Sequence, residues 1–98
     1  MRSREISSIL GRERAIRGRR VVVFLVPGSG RVAAIASKRI GGAVRRNRAR
    51  RILLAAWAQV PIAGQRDAVL VARTAIDGAS SRELVDEMTA LLARTTDA

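Results

Sequence analysis

The chain has 98 residues, 48% of them apolar, with a formal net charge of +11 and no cysteine, histidine or tyrosine. That length suits one domain, spanning 1–98, with a modest core. The missing cysteine excludes disulfides and thiolate metal sites, and the missing histidine removes the commonest general base and metal ligand. The charge is unevenly placed. Residues 1–51 hold 15 basic and 2 acidic side chains, a net of +13, whereas residues 52–98 hold 4 and 6, a net of −2. A polycationic half-chain calls for a polyanionic partner, either nucleic acid or an anionic membrane. Every basic residue but Lys38 is arginine, whose fork suits phosphate and stacks on bases, although GC-rich codon usage explains most of that preference over lysine. It does not account for the clustering. No apolar run approaches the roughly 18 residues of a membrane span. The basic N-terminus lacks the apolar region of a signal peptide, so the expected location is the cytoplasm, with no membrane partner.

Residues 5–10 read as a short helix, with Ile6, Ile9 and Leu10 at i, i+3, i+4 on one face. Residues 11–18 are charged and irregular, and Gly18 is a turn signal. Residues 21–26, Val-Val-Val-Phe-Leu-Val, form a strand by β-branched content. Pro27-Gly28-Ser29-Gly30 is the clearest turn, and residues 31–37 return as a second strand. Residues 19–37 are therefore expected as an antiparallel hairpin. Gly41-Gly42 precedes a helix over residues 43–59, and a loop from Val60-Pro61 to Gly64 ends it. Residues 67–72 form another apolar strand, and Asp77-Gly78 lies in the loop after it. Ser80 and Glu83 have capping-box spacing ahead of a last helix, whose stripe is Leu84, Met88, Leu91 and Leu92. The order is α-β-β-α-β-α, an α+β domain.

Protein-borne catalysis fails on inventory. A serine nucleophile lacks a histidine base. Ser29 sits in a Gly-Ser-Gly turn, where turn chemistry explains it. A two-metal nuclease needs convergent carboxylates. The densest acids, Glu83, Asp86 and Glu87, open the last helix, where they suit the macrodipole and face water. The glycines match neither a dinucleotide-binding nor a Walker spacing.

The segment Arg45-Arg46-Asn47-Arg48-Ala49-Arg50-Arg51 is different. Like charges three or four residues apart on a helix each cost a few tenths of a kcal/mol. No acid lies between residues 14 and 66 to offset them. A helix that carries this repulsion is built to meet phosphates. Periodicity puts Ala49, Ile52, Leu53 and Ala56 on one side, Arg46, Asn47, Arg50 and Arg51 on the other, and Arg45 and Arg48 at the flanks. Asn47 is a mediocre helix former, so its amide is expected to hydrogen-bond a base edge, a backbone group or a neighbouring arginine.

The run from Ser37 to Arg51, Ser-Lys-Arg-Ile-Gly-Gly-Ala-Val-Arg-Arg-Asn-Arg-Ala-Arg-Arg, closely resembles the signature of the bacterial ribonuclease P protein subunit. That signature reads Ser-Lys-Lys-x-Gly-x-Ala-Val-x-Arg-Asn-Arg-x-(Lys/Arg)-Arg, and the spacing matches without a gap. Trp57 falls where the family has an aromatic closing this helix. Residues 67–73, 21–24 and 5–10 extend the resemblance over nearly the whole chain.

The resemblance implies a small two-layer α-β sandwich with a left-handed βαβ crossover. It implies that the catalyst is the RNA subunit, which removes the 5′ leader of precursor tRNA with Mg²⁺ bound through the RNA and none held directly by the protein. The implied partners are ribonuclease P RNA and precursor tRNA, with no obligate protein partner. By residue match, Lys38, Arg39, Arg45, Arg46, Asn47, Arg48, Arg50 and Arg51 contact the catalytic RNA. Ile6, Leu10, Val22 and Phe24 match a cleft for the single-stranded leader. Ile6 and Leu10 stand where the family has aromatics. Phe24 reads equally as a stacking residue and as core, and Trp57 as core. Apart from the resemblance, the residues also fit a non-catalytic RNA-binding protein, or a DNA-binding protein with the arginine helix in a major groove.

Overall fold

The computed structural model describes residues 1–61 and 63–96. The expected loop between Val60 and Gly64 includes residue 62, which lies outside the described residues, as do residues 97 and 98 of the expected domain. Three helices, α1 (Ser3–Arg12), α2 (Ala43–Trp57) and α3 (Ser81–Thr96), accompany four strands, β1 (Ile16–Arg17), β2 (Val21–Pro27), β3 (Val32–Ile35) and β4 (Arg66–Ala72). The order is the expected one with a two-residue strand, β1, added inside the stretch read as irregular.

The strands lie in the order β1-β2-β4-β3. The expected hairpin over residues 19–37 is not formed. β4 lies between its two arms, antiparallel to β2 and parallel to β3. The physical reason is burial. Ala68, Val69 and Leu70 are wholly buried, which suits a strand covered on both faces, so β4 takes the centre. The turn after Pro27 therefore spans two strand spacings, about 10 Å, instead of closing a tight hairpin.

Alternation sorts the sheet residues. Val21, Val23, Ala68, Leu70 and Ala72 face α2 and α3, where they join Leu53, Trp57, Leu84, Met88 and Leu91 in one core. Phe24, Val26, Asp67 and Val69 face the other way, toward α1. α1 crosses β2 and β4 there and has no fully buried residue. α2 and α3 make the second layer of the sandwich. α3 opens with the expected capping box. Glu83 N–H donates to Ser80 Oγ at 3.2 Å, and Ser80 N–H donates to Glu83 Oε1 at 3.0 Å. Among the described residues no helix is long and apolar enough to cross a membrane.

The crossover β3-α2-β4 is left-handed, against the general rule. Ala68 points its side chain into the α2 layer, and its N–H donates to Arg31 C=O at the start of β3. For an L-residue on a strand running upward with its side chain toward the viewer, N–H points right. Seen from α2, β3 therefore lies to the right of β4, and the chain passes from right to left.

One carboxylate holds the turn that makes this possible. Asp67 is 1% exposed at the start of β4. It accepts from the N–H groups of Gly30 (3.1 Å) and Arg31 (2.8 Å) and from Arg31 Nε (2.9 Å) and Nη2 (2.7 Å). Arg31 also pairs with Glu5 of α1 at 3.0 Å. The Arg31 side-chain bonds, more than the turn N–H groups, hold Asp67 below its ordinary pKa of 3.8, against a desolvation that raises it. A carboxyl depressed in the folded state adds stability above its unfolded pKa, and that stability is lost as pH falls through the lowered value. Wild-type protein should therefore lose stability as pH falls below about 4. Asp67→Asn should show a weaker starting stability and a flatter dependence over that window, as read from urea midpoints at stepped pH.

Candidate nucleic-acid interface

α2 begins after a single turn of 3-10 helix over Lys38–Ile40. Ser37 Oγ accepts from the Arg39 N–H at 3.3 Å and starts that turn. Gly41 ends it with φ +133°, a left-handed backbone that a side chain would strain. Ile40 is buried, so Lys38 and Arg39 are turned out. Arg39 lines a cleft at the C-terminal ends of the parallel pair β3 and β4, with Ser37, Val71, Arg73 and Thr74.

The buried side of α2 is Ala49, Leu53, Ala56 and Trp57. The exposed side is centred on Val44, Asn47, Arg48 and Arg51, with Arg45 exposed in the first turn. Arg46 and Arg50, expected on the solvent side, are half-buried at its margin. Arg46 Nε is buried without a hydrogen-bond partner among the described residues, as is Trp57 Nε1. The reason is the helical period itself: Arg46 stands seven residues before Leu53 and eleven before Trp57, on their side of α2, and Arg50 stands seven before Trp57.

Two polar contacts shape this surface. Asn47 Oδ1 accepts from Arg50 Nη2, so the amide serves a neighbouring arginine, one of the roles expected for it. Arg48 Nη2 donates to the Ala79 C=O at 3.1 Å, which fastens α2 to the segment ahead of α3. A shallow depression between Val44, Asn47, Arg50 and Arg51 opens to solvent. Val44 is 81% exposed. Sequence reasoning missed Val44 as part of the face, although an apolar residue opposite Leu53 on the wheel is a visible signal. It also missed the fastening by Arg48, which depends on a loop 31 residues away.

The four expected leader-cleft residues lie on or beside α1 and β2. Phe24 is 8% exposed, which leaves little of its ring for a base, and Trp57 is core as expected. Val22 and Ile6 are half-buried, and Leu10 is exposed. At the other end of β2 a depression opens between α1 and the sheet, lined by Arg4, Ser8, Ile9, Val26 and the Arg31–Asp67 pair. Among the described residues no three acidic groups gather to hold a metal ion.

The Arg48 contact makes a measurable claim. Arg48→Ala should cost about 1 kcal/mol, the scale of one hydrogen bond to a charged group at a part-exposed site. Arg51→Ala, which removes an exposed cation, should leave stability within about 0.5 kcal/mol of wild type. Urea unfolding followed by Trp57 fluorescence reads both.

Known proteins carry this arrangement. A family profile described as ribonuclease P matches residues 1–96. A ribonuclease P protein component from a Nitratiruptor species is 35% identical over 96 residues, covering 93% of this chain and 85% of that one. The component from Coprothermobacter proteolyticus is 58% identical over 43 residues, which span 43% of this chain and 36% of its own length. The ribonuclease P protein of Thermotoga maritima superposes with a TM-score of 0.76 at 18% identity, covering 96% of this chain and 94% of that one, a likeness of fold. With the profile matching nearly its full length, the chain belongs to the ribonuclease P protein family.

Proposed function

We propose that this protein binds the RNA subunit of ribonuclease P through the exposed face of α2 and assists removal of the 5′ leader from precursor tRNA. The observation that carries the reading is that face itself. It presents Arg45, Asn47, Arg48 and Arg51 without an acidic side chain among them, on a helix held rigidly by its buried side. Guanidinium forks suit phosphate oxygens in pairs. Lys38 and Arg39 extend the basic surface ahead of α2. Arg46 and Arg50 at its margin add charge.

In this reading the RNA carries the chemistry, and Mg²⁺ is bound by the RNA, not by the protein. The protein screens phosphate repulsion between catalytic RNA and substrate. The leader lies on the α1 side of the sheet, where Leu10, Ile6 and Val22 keep apolar surface open and Phe24 is the floor beneath them. This work takes place in the cytoplasm and needs no second protein.

Reconstitution tests the reading. The protein, mixed with a bacterial ribonuclease P RNA at low Mg²⁺, should stimulate leader removal from precursor tRNA, and no stimulation would overturn the assignment. Arg45→Gln and Arg51→Gln should each lower the log–log salt slope of RNA binding by about 0.7–0.9, one phosphate contact apiece. Slopes that stay at the wild-type value in both variants would remove these residues from the interface.

A further inference from the structure

The arginines between α1 and β2 have no part in the contact proposed for α2. Arg14, Arg17 and Arg19 are exposed, and their side chains make no hydrogen bond or ion pair among the described residues. They nevertheless stand on a fixed base. Gly18 N–H donates to Val21 C=O at 2.8 Å and closes the turn between β1 and β2. Arg73 Nη1 donates to Gly18 C=O at 3.0 Å. The Glu87 carboxylate of α3 accepts from Arg20 N–H at 2.8 Å and from Arg20 Nη1 at 3.1 Å. A Cβ on Gly18 would meet the Val21 C=O at 2.9 Å, besides Glu87 Oε2 at 2.5 Å and Leu91 Cδ1 at 2.7 Å, so a side chain here would force the turn or α3 to shift. Arg17 and Arg19 flank that glycine.

Glu13, next to Arg14 in sequence, forms no ion pair with any of the three among the described residues, and the acids of α3 that reach this turn are already engaged. Glu83 and Glu87 both pair with Arg20. Glu83 is held below its ordinary pKa chiefly by the Ser80 N–H and hydroxyl, then by Arg20, with Arg19 a weaker and more distant influence that forms no ion pair.

The backbone adds a donor. β1 is an edge strand, with Ile16 opposite Val23 and Arg17 opposite Val22. Antiparallel ladders bond alternate pairs. Because Gly18 is bonded to Val21, Arg17 turns its N–H and C=O away from β2, into solvent. The edge therefore offers guanidinium forks and a free N–H. The chain's only aromatics, Phe24 and Trp57, are buried and offer no stacking platform. That chemistry fits the phosphodiester chain and not the bases.

Position separates this edge from α2. α2 packs over β3 and β4, while α3 packs over β1 and β2. β1 is three strand spacings from β3, roughly 14 Å. We infer that Arg14, Arg17 and Arg19, with the outward N–H of Arg17, form a second phosphate-binding edge, which takes a stretch of RNA backbone other than the one on α2. One small protein then holds two stretches of RNA at opposite edges of one sheet. The inference rests on the proposed function only in taking RNA as the polyanion.

The test uses holoenzyme reconstituted from a bacterial ribonuclease P RNA and either wild-type protein or the triple variant Arg14→Gln, Arg17→Gln, Arg19→Gln. Two affinities are followed against salt: protein for the RNA subunit, and holoenzyme for precursor tRNA. Loss of three contacts should lower the log–log slope by about 2 in one of the two titrations, and which one moves identifies the RNA held. The triple Arg→Lys variant should restore the slope, because charge is what is counted. Slopes unchanged in both titrations overturn the inference. An Arg45→Gln, Arg51→Gln variant runs alongside. If it alone changes a slope, the second edge fails and the α2 reading stands. If it too is silent, both fail.

Discussion

Asp67 carries a charge almost wholly removed from water, and the four N–H bonds that satisfy it all come from the Gly30–Arg31 end of the turn between β2 and β3. A carboxylate left there without them would be strongly destabilising. The chain between β2 and β3 is consequently held at the start of β4. That attachment keeps β2 and β3 two spacings apart and leaves β4 its central slot. It also sets where β3 begins, at Val32, five residues ahead of the turn at Ser37. Through Arg31 and Glu5 the same group steadies α1. The hand of the crossover is then set by α2 lying on the face to which Ala68 points.

The distribution of charge in the molecule has a similar logic. Four of the eight acidic residues, Glu5, Asp67, Glu83 and Glu87, are engaged by just two arginines, Arg31 and Arg20. Both pairs serve as ties between elements: α1 and the turn to β4 in one case, the start of β2 to α3 in the other. The great majority of the arginines are left without an ionic partner among the described residues. Repulsion among them weakens the compact state, and bound polyanion relieves it. In the proposed complex, affinity for RNA and stability are thereby linked, and both should depend on salt.

The α2 arginines are not equivalent once folded. Arg45 and Arg51 are exposed cations. Arg48 divides its guanidinium between solvent and the Ala79 carbonyl. Arg50 is bridged to Asn47, and Arg46 is drawn in beside the core. In the proposed interface the Arg-Asn-Arg motif thus combines contact surface with internal bracing. A substitution in it can weaken RNA binding without having removed a phosphate contact.

Much of this was legible in the chain itself. The amphipathic stripe and capping box of α3, the apolar strands, the glycine break before α2 and the core position of Trp57 all depend on neighbours within a few residues, whose periodicity sequence records. The run from Ser37 to Arg51 likewise pointed to the family. Strand order was not legible, because the turn after Pro27 signals a reversal and not which strand fills the space beside it. Nor was β1, whose two residues carry no periodic signal and exist because β2 offers an edge. The closure over Phe24 and the fixed turn at Gly18 were decided by contacts between residues tens of positions apart. Sequence determined which side chains could meet phosphate, since charge and spacing are local. Tertiary structure decided which of them are free to do so, since freedom depends on what packs alongside.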